Sequence, residues 1–138
     1  KYYQNLLNMI YESGTKNIFF LGSRRDTRPI LKLMDIYVCS SKNESSPLAL
    51  WEAMAMEKAI ISTDVGDVSK FITNGLNGFV INTGDKDALA KHIVKLINEP
   101  ILRDNLGKSA RELAKSKLDL KICTDLHFKM YQSVFNCY

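Results

Sequence analysis

The chain has 138 residues, of which 46% are hydrophobic and 25% are charged, and its net charge is +4 at pH 7. This length is typical of one domain with a single core, and the composition excludes disordered, collagen-like and disulfide-dense proteins. The mild positive charge comes without a zinc finger, an aromatic RNA-binding pattern or a basic region leading into heptads, so nucleic acid is not a predicted partner.

The cysteines and the absence of long apolar runs bear on the compartment. Cys39, Cys123 and Cys137 form no CxxC pair. An odd number of cysteines without metal-ligand spacing is typical of reduced thiols in a cytosolic protein and predicts no zinc site. No apolar run approaches the roughly 18 to 20 residues that span a bilayer, and the first residues lack a secretion-signal pattern. We therefore expect a cytoplasmic protein.

Helical patterns and apolar strands alternate along the chain. A predicted helix over residues 1–12 is followed by NIFFLG (17–22), whose continuous apolar run predicts a strand buried on both faces. Further strands are predicted at 35–40, 59–64 and 78–82, and further helices at 28–34, 47–56, 67–73, 85–98, 101–117 and about 120–135. This order predicts an α/β fold with a Rossmann-like parallel sheet and helices on both faces.

The loops that follow the strands are the predicted site, because ligands of such sheets bind beyond the carboxyl ends of the strands. These loops cover residues 22–27, 40–46 and 64–67. The first loop begins with Gly22 and Ser23, which are therefore candidate ligand-binding residues.

The second loop leads into ESSPLALWEAMAME (44–57), a helical pattern in which Glu52 is the only polar side chain between Pro47 and Met56. We expect Ser46 to cap this helix and Pro47 to occupy its first turn. A helix that is apolar all round is predicted to be buried, and an ionised carboxylate is tolerated there only when hydrogen-bond donors meet it.

Glu44 and Glu52 are both expected near the N-terminus of this helix. Unpaired backbone N–H groups and the positive end of the helix dipole favour a phosphate there. Acceptors for sugar hydroxyls beside donors for phosphate oxygens suit a nucleotide-sugar. The spacing alone leaves a second interpretation open, in which Glu44 only stabilises the helix dipole and Glu52 pairs with a lysine or a backbone amide elsewhere.

The segment SKNESSPLALWEAMAMEKAIISTDVG (41–66) resembles the E-x7-E signature of the retaining, GT-B fold glycosyltransferases of group 1, the glycogen synthase-like family. Supporting segments follow in the family's order: FLG at 20–22, DIYVCSS at 35–41, NGLNGFVIN at 74–82 and DKDALA at 85–90. The similarity runs from about residue 16 to residue 111. It implies that residues 1–138 form one nucleotide-sugar-binding domain, the C-terminal half of a GT-B fold whose N-terminal acceptor domain is absent.

The resemblance also implies roles for individual residues. The first glutamate of such enzymes contacts hydroxyls of the donor sugar and the second holds the nucleotide ribose, which assigns Glu44 to the sugar, as the catalytic residue, and Glu52 to the ribose. Ser45, Ser46 and Leu48 are the implied contacts to sugar or pyrophosphate. In such enzymes the leaving phosphate oxygen takes the acceptor's proton, so the resemblance implies no enzyme nucleophile. It also implies no cofactor and no obligatory metal, and the sequence has no carboxylate–histidine cluster that would hold one.

The implied partners are a nucleotide-diphosphate sugar and a polysaccharide, lipopolysaccharide or lipid-linked acceptor, with peripheral contact at the inner face of the membrane in the full-length protein. Ser45 stands where the family commonly has glycine, and Asp67 and Lys70 stand where it usually has Gly and Glu, so neither of these two receives a role. A non-catalytic binding module of the same fold is the alternative function. A phosphorylated receiver domain would need an acidic pair and a lysine that are not evident, and a dinucleotide-dependent dehydrogenase would need GxGxxG.

Overall fold

The structure is a computed structural model that describes residues 1–135. Cys137, for which a reduced thiol is predicted, lies outside the described residues. Cys39 is buried, Cys123 is half-buried, and both are free thiols.

Helices and strands alternate as the sequence predicts. In chain order the elements are α1 (Tyr2–Ser13), α2 (Arg28–Leu33), β1 (Ile36–Cys39), α3 (Leu48–Ala55), β2 (Ala59–Thr63), α4 (Val68–Phe71), β3 (Phe79–Ile81), α5 (Lys86–Asn98), α6 (Pro100–Lys117) and α7 (Leu120–Phe135). The strands pair in parallel in the order β1-β2-β3, with Ile36 opposite Ala59 and Ile61 opposite Phe79. The predicted α/β class with a parallel sheet is confirmed.

Two apolar clusters cover the two faces of the sheet. The first lies against α3, α4 and α6, and its largest fully buried members are Leu50, Met54, Ile60 and Val68. The second lies against α5 and α6 and consists of Ala59, Ile61, Phe79, Leu96 and Leu106. Successive side chains of a strand point to opposite faces, so Ile60 joins the first cluster while Ile61 joins the second. The central strand β2 is therefore buried along its whole length.

The strand predicted at NIFFLG is wrong. Residues 17–22 form no strand, and the side chains of 18–21 are between 43% and 78% exposed. An apolar run becomes a buried strand only when it has a hydrogen-bonded neighbour and cover on both faces. In the described part of the chain the sheet ends at β1, and the segment packs instead through Phe20 against Tyr3 of α1, with ring centroids 5.0 Å apart.

The last helix, α7, packs against α6 and leaves several apolar side chains exposed, among them Leu126, Phe128 and Tyr131. Within residues 1–135 no helix is both long enough and apolar enough to traverse a bilayer.

Candidate functional site

Glu52 lies on the exposed side of α3, so the expectation of a buried carboxylate is wrong. One side of α3, with Leu50, Trp51, Ala53 and Met54, packs on the sheet and on α6. The other side carries Leu48, which is 73% exposed, and the exposed residues Ala49 and Ala55. Because these three residues are apolar, the sequence does not reveal that this side of α3 faces solvent. Although nearly all residues of α3 are apolar, the helix packs against the rest of the protein through one side only.

The Glu52 carboxylate has little protein to bind it. Its Oε2 accepts one long hydrogen bond, 3.4 Å, from the Thr27 hydroxyl before α2. Among residues 1–135 no Lys, Arg or His forms an ion pair with the Glu52 carboxylate and no backbone amide donates to it, so the second interpretation does not describe Glu52. Most of the hydrogen-bonding capacity of this carboxylate is open to a ligand.

The N-terminus of α3 lacks the expected cap. Pro47, and not Ser46, is the N-cap residue, the helix begins at Leu48, and no side chain caps it. Ser46 Oγ instead accepts a hydrogen bond of 3.0 Å from Trp51 Nε1, and the Trp51 ring packs edge-on against Phe71. Because the Ser46 hydroxyl is hydrogen-bonded to the Trp51 indole, no side chain accepts a hydrogen bond from the first-turn N–H groups of α3. An uncapped helix N-terminus of this kind suits an anionic ligand.

The loop that carries Glu44 is held from beneath by the central strand. Thr63, at the end of β2, donates through Oγ1 to the Ser41 carbonyl oxygen at 2.7 Å. Ser41 Oγ in turn donates to Glu44 Oε1 at 2.8 Å. On the other side the Asp67 amide donates to the Ser45 carbonyl oxygen at 3.0 Å. The loops after β1 and β2 thus touch at the carboxyl ends of their strands, where the sequence predicts the site.

Gly66 permits this contact, and sequence reasoning missed it. Its φ is +54°, and a Cβ at this position would run into the carbonyl oxygen of Ser45 and stand 2.7 Å from that of Glu44. The only signal in the sequence is a glycine directly after a buried strand. Asp67, which follows it, pairs with Lys70 at 2.6 Å on the surface.

Two cavities meet at Glu52. The larger, about 770 Å³, lies between α3 and the α6–α7 region, and its walls include Ser46, Leu48 and Glu52. The smaller, about 440 Å³, lies between α2 and α3, and Thr27 and Arg25 line it together with Glu52. Three of the predicted site residues therefore share one wall.

The remaining predicted site residues lie outside these two cavity walls. Glu44, Ser45, Gly22 and Ser23 are all exposed, and the first two stand on the loop that the 64–67 loop supports. Gly22 has a φ of +68° and open space around it.

The basic residues just before α2 and at its first position differ in their pairing. Arg28 Nε lies 2.8 Å from Asp26 Oδ1, and this hydrogen bond lowers the pKa of the Asp26 carboxyl and raises that of Arg28. Arg25 has no ion pair or hydrogen bond among the described residues. It is thus the cation of the smaller cavity that remains available to an anion.

Tyr37 is a second residue that the sequence analysis missed. It lies half-buried in β1, and its pKa is raised to about 12, first by burial and then by electrostatic interaction with Cys39, Glu44 and Glu52. Both carboxylates therefore act on one phenol, which stays protonated at neutral pH and can donate a hydrogen bond.

No three His, Cys, Asp or Glu side chains within residues 1–135 come together as a group that could hold a metal ion. The independence from metal that the resemblance implies stays a prediction.

Comparison with known proteins identifies the family of the chain. Residues 1–113 match the family of glycosyl transferases group 1, and because this is most of the chain, the chain belongs to that family. The resemblance to group 1 glycosyltransferases is confirmed, while the E-x7-E motif and the retaining mechanism stay predictions.

Relatives and solved structures agree with this assignment. The chain is 31% identical over 124 residues to the capsular polysaccharide biosynthesis glycosyltransferase CapM of Staphylococcus aureus, covering 90% of this chain and 33% of CapM. It is 32% identical over 117 residues to the N,N'-diacetylbacillosaminyl-diphospho-undecaprenol alpha-1,3-N-acetylgalactosaminyltransferase of Campylobacter jejuni, covering 85% of this chain and 31% of that enzyme.

The crystal structure of Anabaena HepE in complex with UDP-glucose superimposes with a TM-score of 0.87 over 95% of this chain and 37% of HepE, at 23% identity. This likeness confirms the fold prediction, a Rossmann-like unit of the GT-B type. The chain spans about a third of the length of each of these proteins.

Proposed function

We propose that this chain binds the nucleotide-sugar donor of a retaining glycosyltransferase, as the C-terminal domain of a longer protein. One observation carries the proposal: Glu52 presents a nearly unbound carboxylate where two open cavities meet, one turn into a helix whose N-terminus is uncapped. A carboxylate that can accept two hydrogen bonds suits the vicinal hydroxyls of a ribose, and the uncapped helix end beside it suits the pyrophosphate.

Glu44 is the residue proposed to meet the donor sugar. Its Oε1 is bound by Ser41, while no described hydrogen bond reaches its Oε2. Ser45, Ser46 and Leu48 stand between the two glutamates, where the proposal places contacts to sugar or pyrophosphate. Gly22 and Ser23 are proposed as the contribution of the preceding loop.

The proposed reaction transfers a hexose with retention of configuration. The acceptor hydroxyl attacks the anomeric carbon, the bond from that carbon to the leaving phosphate oxygen breaks, and the same phosphate oxygen takes the hydroxyl proton. No enzyme nucleophile takes part, so the chain contributes by positioning the donor and stabilising its charge. The proposal includes no resident cofactor and no obligatory metal.

The acceptor is proposed to be a polysaccharide, a lipopolysaccharide or a lipid-linked glycan, bound by an N-terminal domain of the full-length protein. The names of the relatives support this range, since one builds capsular polysaccharide and another acts on an undecaprenol-linked sugar. A lipid-linked acceptor would bring the protein to the inner face of the membrane, where we propose peripheral contact.

Calorimetric titration with UDP-, GDP- and ADP-sugars tests the proposal. The wild-type chain should bind at least one of them, and Glu52→Ala should weaken that binding about tenfold or more because the ribose hydroxyls lose a charged acceptor. Glu12→Gln, an exposed change in α1, is the matched control and should bind as the wild type does. Equal heats for wild type and Glu52→Ala would remove the ribose role.

Turnover by the full-length protein separates an enzyme from a non-catalytic binding module. We expect Glu44→Ala to abolish most of the transfer while the nucleotide still binds. Full transfer by the Glu44→Ala protein would contradict the catalytic assignment.

A further inference from the structure

A chain of two hydrogen bonds links the buried sheet to the exposed Glu44 carboxylate. Thr63 is 3% exposed, and its hydroxyl, on the central strand, binds the Ser41 carbonyl oxygen at 2.7 Å and approaches that of Cys39 at 3.4 Å. The Ser41 hydroxyl then binds Glu44 Oε1 at 2.8 Å. These hydrogen bonds thus connect the buried strand β2 to the backbone of the loop, and the loop to the Glu44 carboxylate.

This connection matters because an exposed glutamate side chain is otherwise free to rotate. Long polar side chains lose much rotamer freedom when a ligand fixes them, and a pre-formed hydrogen bond to the carboxylate removes part of that loss before binding. A hydroxyl donating to a carboxylate is also stronger than a hydrogen bond between neutral groups. The two site glutamates differ here, since the bond from Thr27 to Glu52 is long, at 3.4 Å.

We propose that Ser41 and Thr63 are positioning residues that hold Glu44 in the orientation in which it receives the donor sugar. Thr63 fixes the backbone of the loop, and Ser41 fixes one oxygen of the carboxylate so that the other faces the ligand. The inference rests on the proposed function, because it takes Glu44 to be the sugar-side residue. It predicts an effect on the sugar and not on the nucleotide.

The binding test compares each nucleotide-sugar with its nucleoside diphosphate, using UDP-glucose with UDP, GDP-mannose with GDP, and ADP-glucose with ADP. Ser41→Ala should weaken the sugar-containing ligand about tenfold while the diphosphate changes by less than about twofold. Ser41→Thr, which keeps a hydroxyl, should restore sugar binding. Ser13→Ala, at an exposed serine that ends α1, is the control and should bind as the wild type does. Equal losses for both ligands, or no loss for either, would overturn the inference.

A measurement without ligand keeps the two proposals separable. NMR relaxation of the backbone amides of residues 40–45 and of the Glu44 methylene groups should show larger motion in Thr63→Val and in Ser41→Ala. Ser62→Ala, the control, also removes a buried hydroxyl of β2, but this one donates to the Thr63 carbonyl at 2.9 Å and not to the loop, so the loop should stay ordered.

Thermal unfolding checks that each variant is folded. If the wild type binds none of the six ligands, the proposed function fails, while the relaxation data still decide the positioning role. An unchanged loop in Thr63→Val and Ser41→Ala would overturn that role.

Discussion

Gly66 is the residue on which the contact between the two site loops depends. Gly66→Ala would place a methyl group against the Ser45 carbonyl oxygen in a backbone conformation with φ +54°. Because the obstacle is backbone and cannot rotate away, we expect a loss of about 3 kcal/mol or more in the free energy of unfolding. Urea denaturation measures it.

Gly84→Ala is the control for this prediction. Gly84 has a φ of +86° but open space where a Cβ would stand, so only the backbone strain applies, about 1 kcal/mol. If both variants lose the same stability, the close approach of the loops contributes nothing and our account of Gly66 is incorrect.

The site residues show what sequence can and cannot predict at this scale. Glu44 and Glu52 could be singled out because their type and spacing are local features of one segment. The partner of Glu52 and the support of the Glu44 loop could not, since Thr27 is 25 residues from Glu52 and Thr63 reaches Ser41 from 22 residues away. Such contacts depend on which loops the sheet brings together, and a single sequence carries little information about them.

At the scale of elements, one side of α3 packs on the sheet and on α6, and the other side carries the proposed site. Leu50 is fully buried, so Leu50→Ala should lower the free energy of unfolding by about 2 to 5 kcal/mol through the cavity that it leaves. Leu48, two residues earlier, is 73% exposed and lines the larger cavity, so Leu48→Ala should change stability by less than about 0.5 kcal/mol. Chemical denaturation of the two variants compares them, and a large loss in Leu48→Ala would refute this division of α3.

Whether a helix or strand could be predicted from the sequence depends on which contacts it needs in order to form. Strands β1, β2 and β3 were predictable because each apolar run finds a parallel neighbour within the described chain. NIFFLG is also apolar but has no paired strand among residues 1–135, and hydropathy carries no information about strand pairing. The prediction that α3 is buried on all sides was wrong for a related reason. Leu48, Ala49 and Ala55 are apolar yet exposed, so the sequence of α3 shows no alternation between a buried and an exposed side.

At the scale of the whole molecule, we expect the protonation of His92 to contribute to the pH dependence of the free energy of unfolding. Its ring stacks on Phe79 of β3 at 4.1 Å, and its Nδ1 is buried without a hydrogen-bond partner among the described residues. Burial first, then Lys91 and Lys95, lower the pKa of His92 below its ordinary value of 6.5. The folded state thus favours the neutral ring, so this contribution to stability is present above pH 6.5 and is lost as the pH falls through the depressed pKa.

His92→Phe keeps the stacked ring and cannot titrate. Thermal unfolding between pH 7 and pH 5 should therefore lose less stability in this variant than in the wild type, while His127→Gln, on α7, should follow the wild type. Parallel pH profiles for His92→Phe and the wild type would show that His92 does not contribute.

The whole account depends on Glu52 accepting hydrogen bonds from a ribose, and a double-mutant cycle measures that contact most directly. The four affinities are those of wild type and Glu52→Ala for a nucleoside diphosphate and for its 2',3'-dideoxy analogue, with UDP, GDP or ADP chosen as the one that binds. We predict that the wild type loses about tenfold or more on removal of the hydroxyls, and that Glu52→Ala binds the two nucleotides equally. Equal affinities in the wild type, or the same discrimination in Glu52→Ala, would contradict the account.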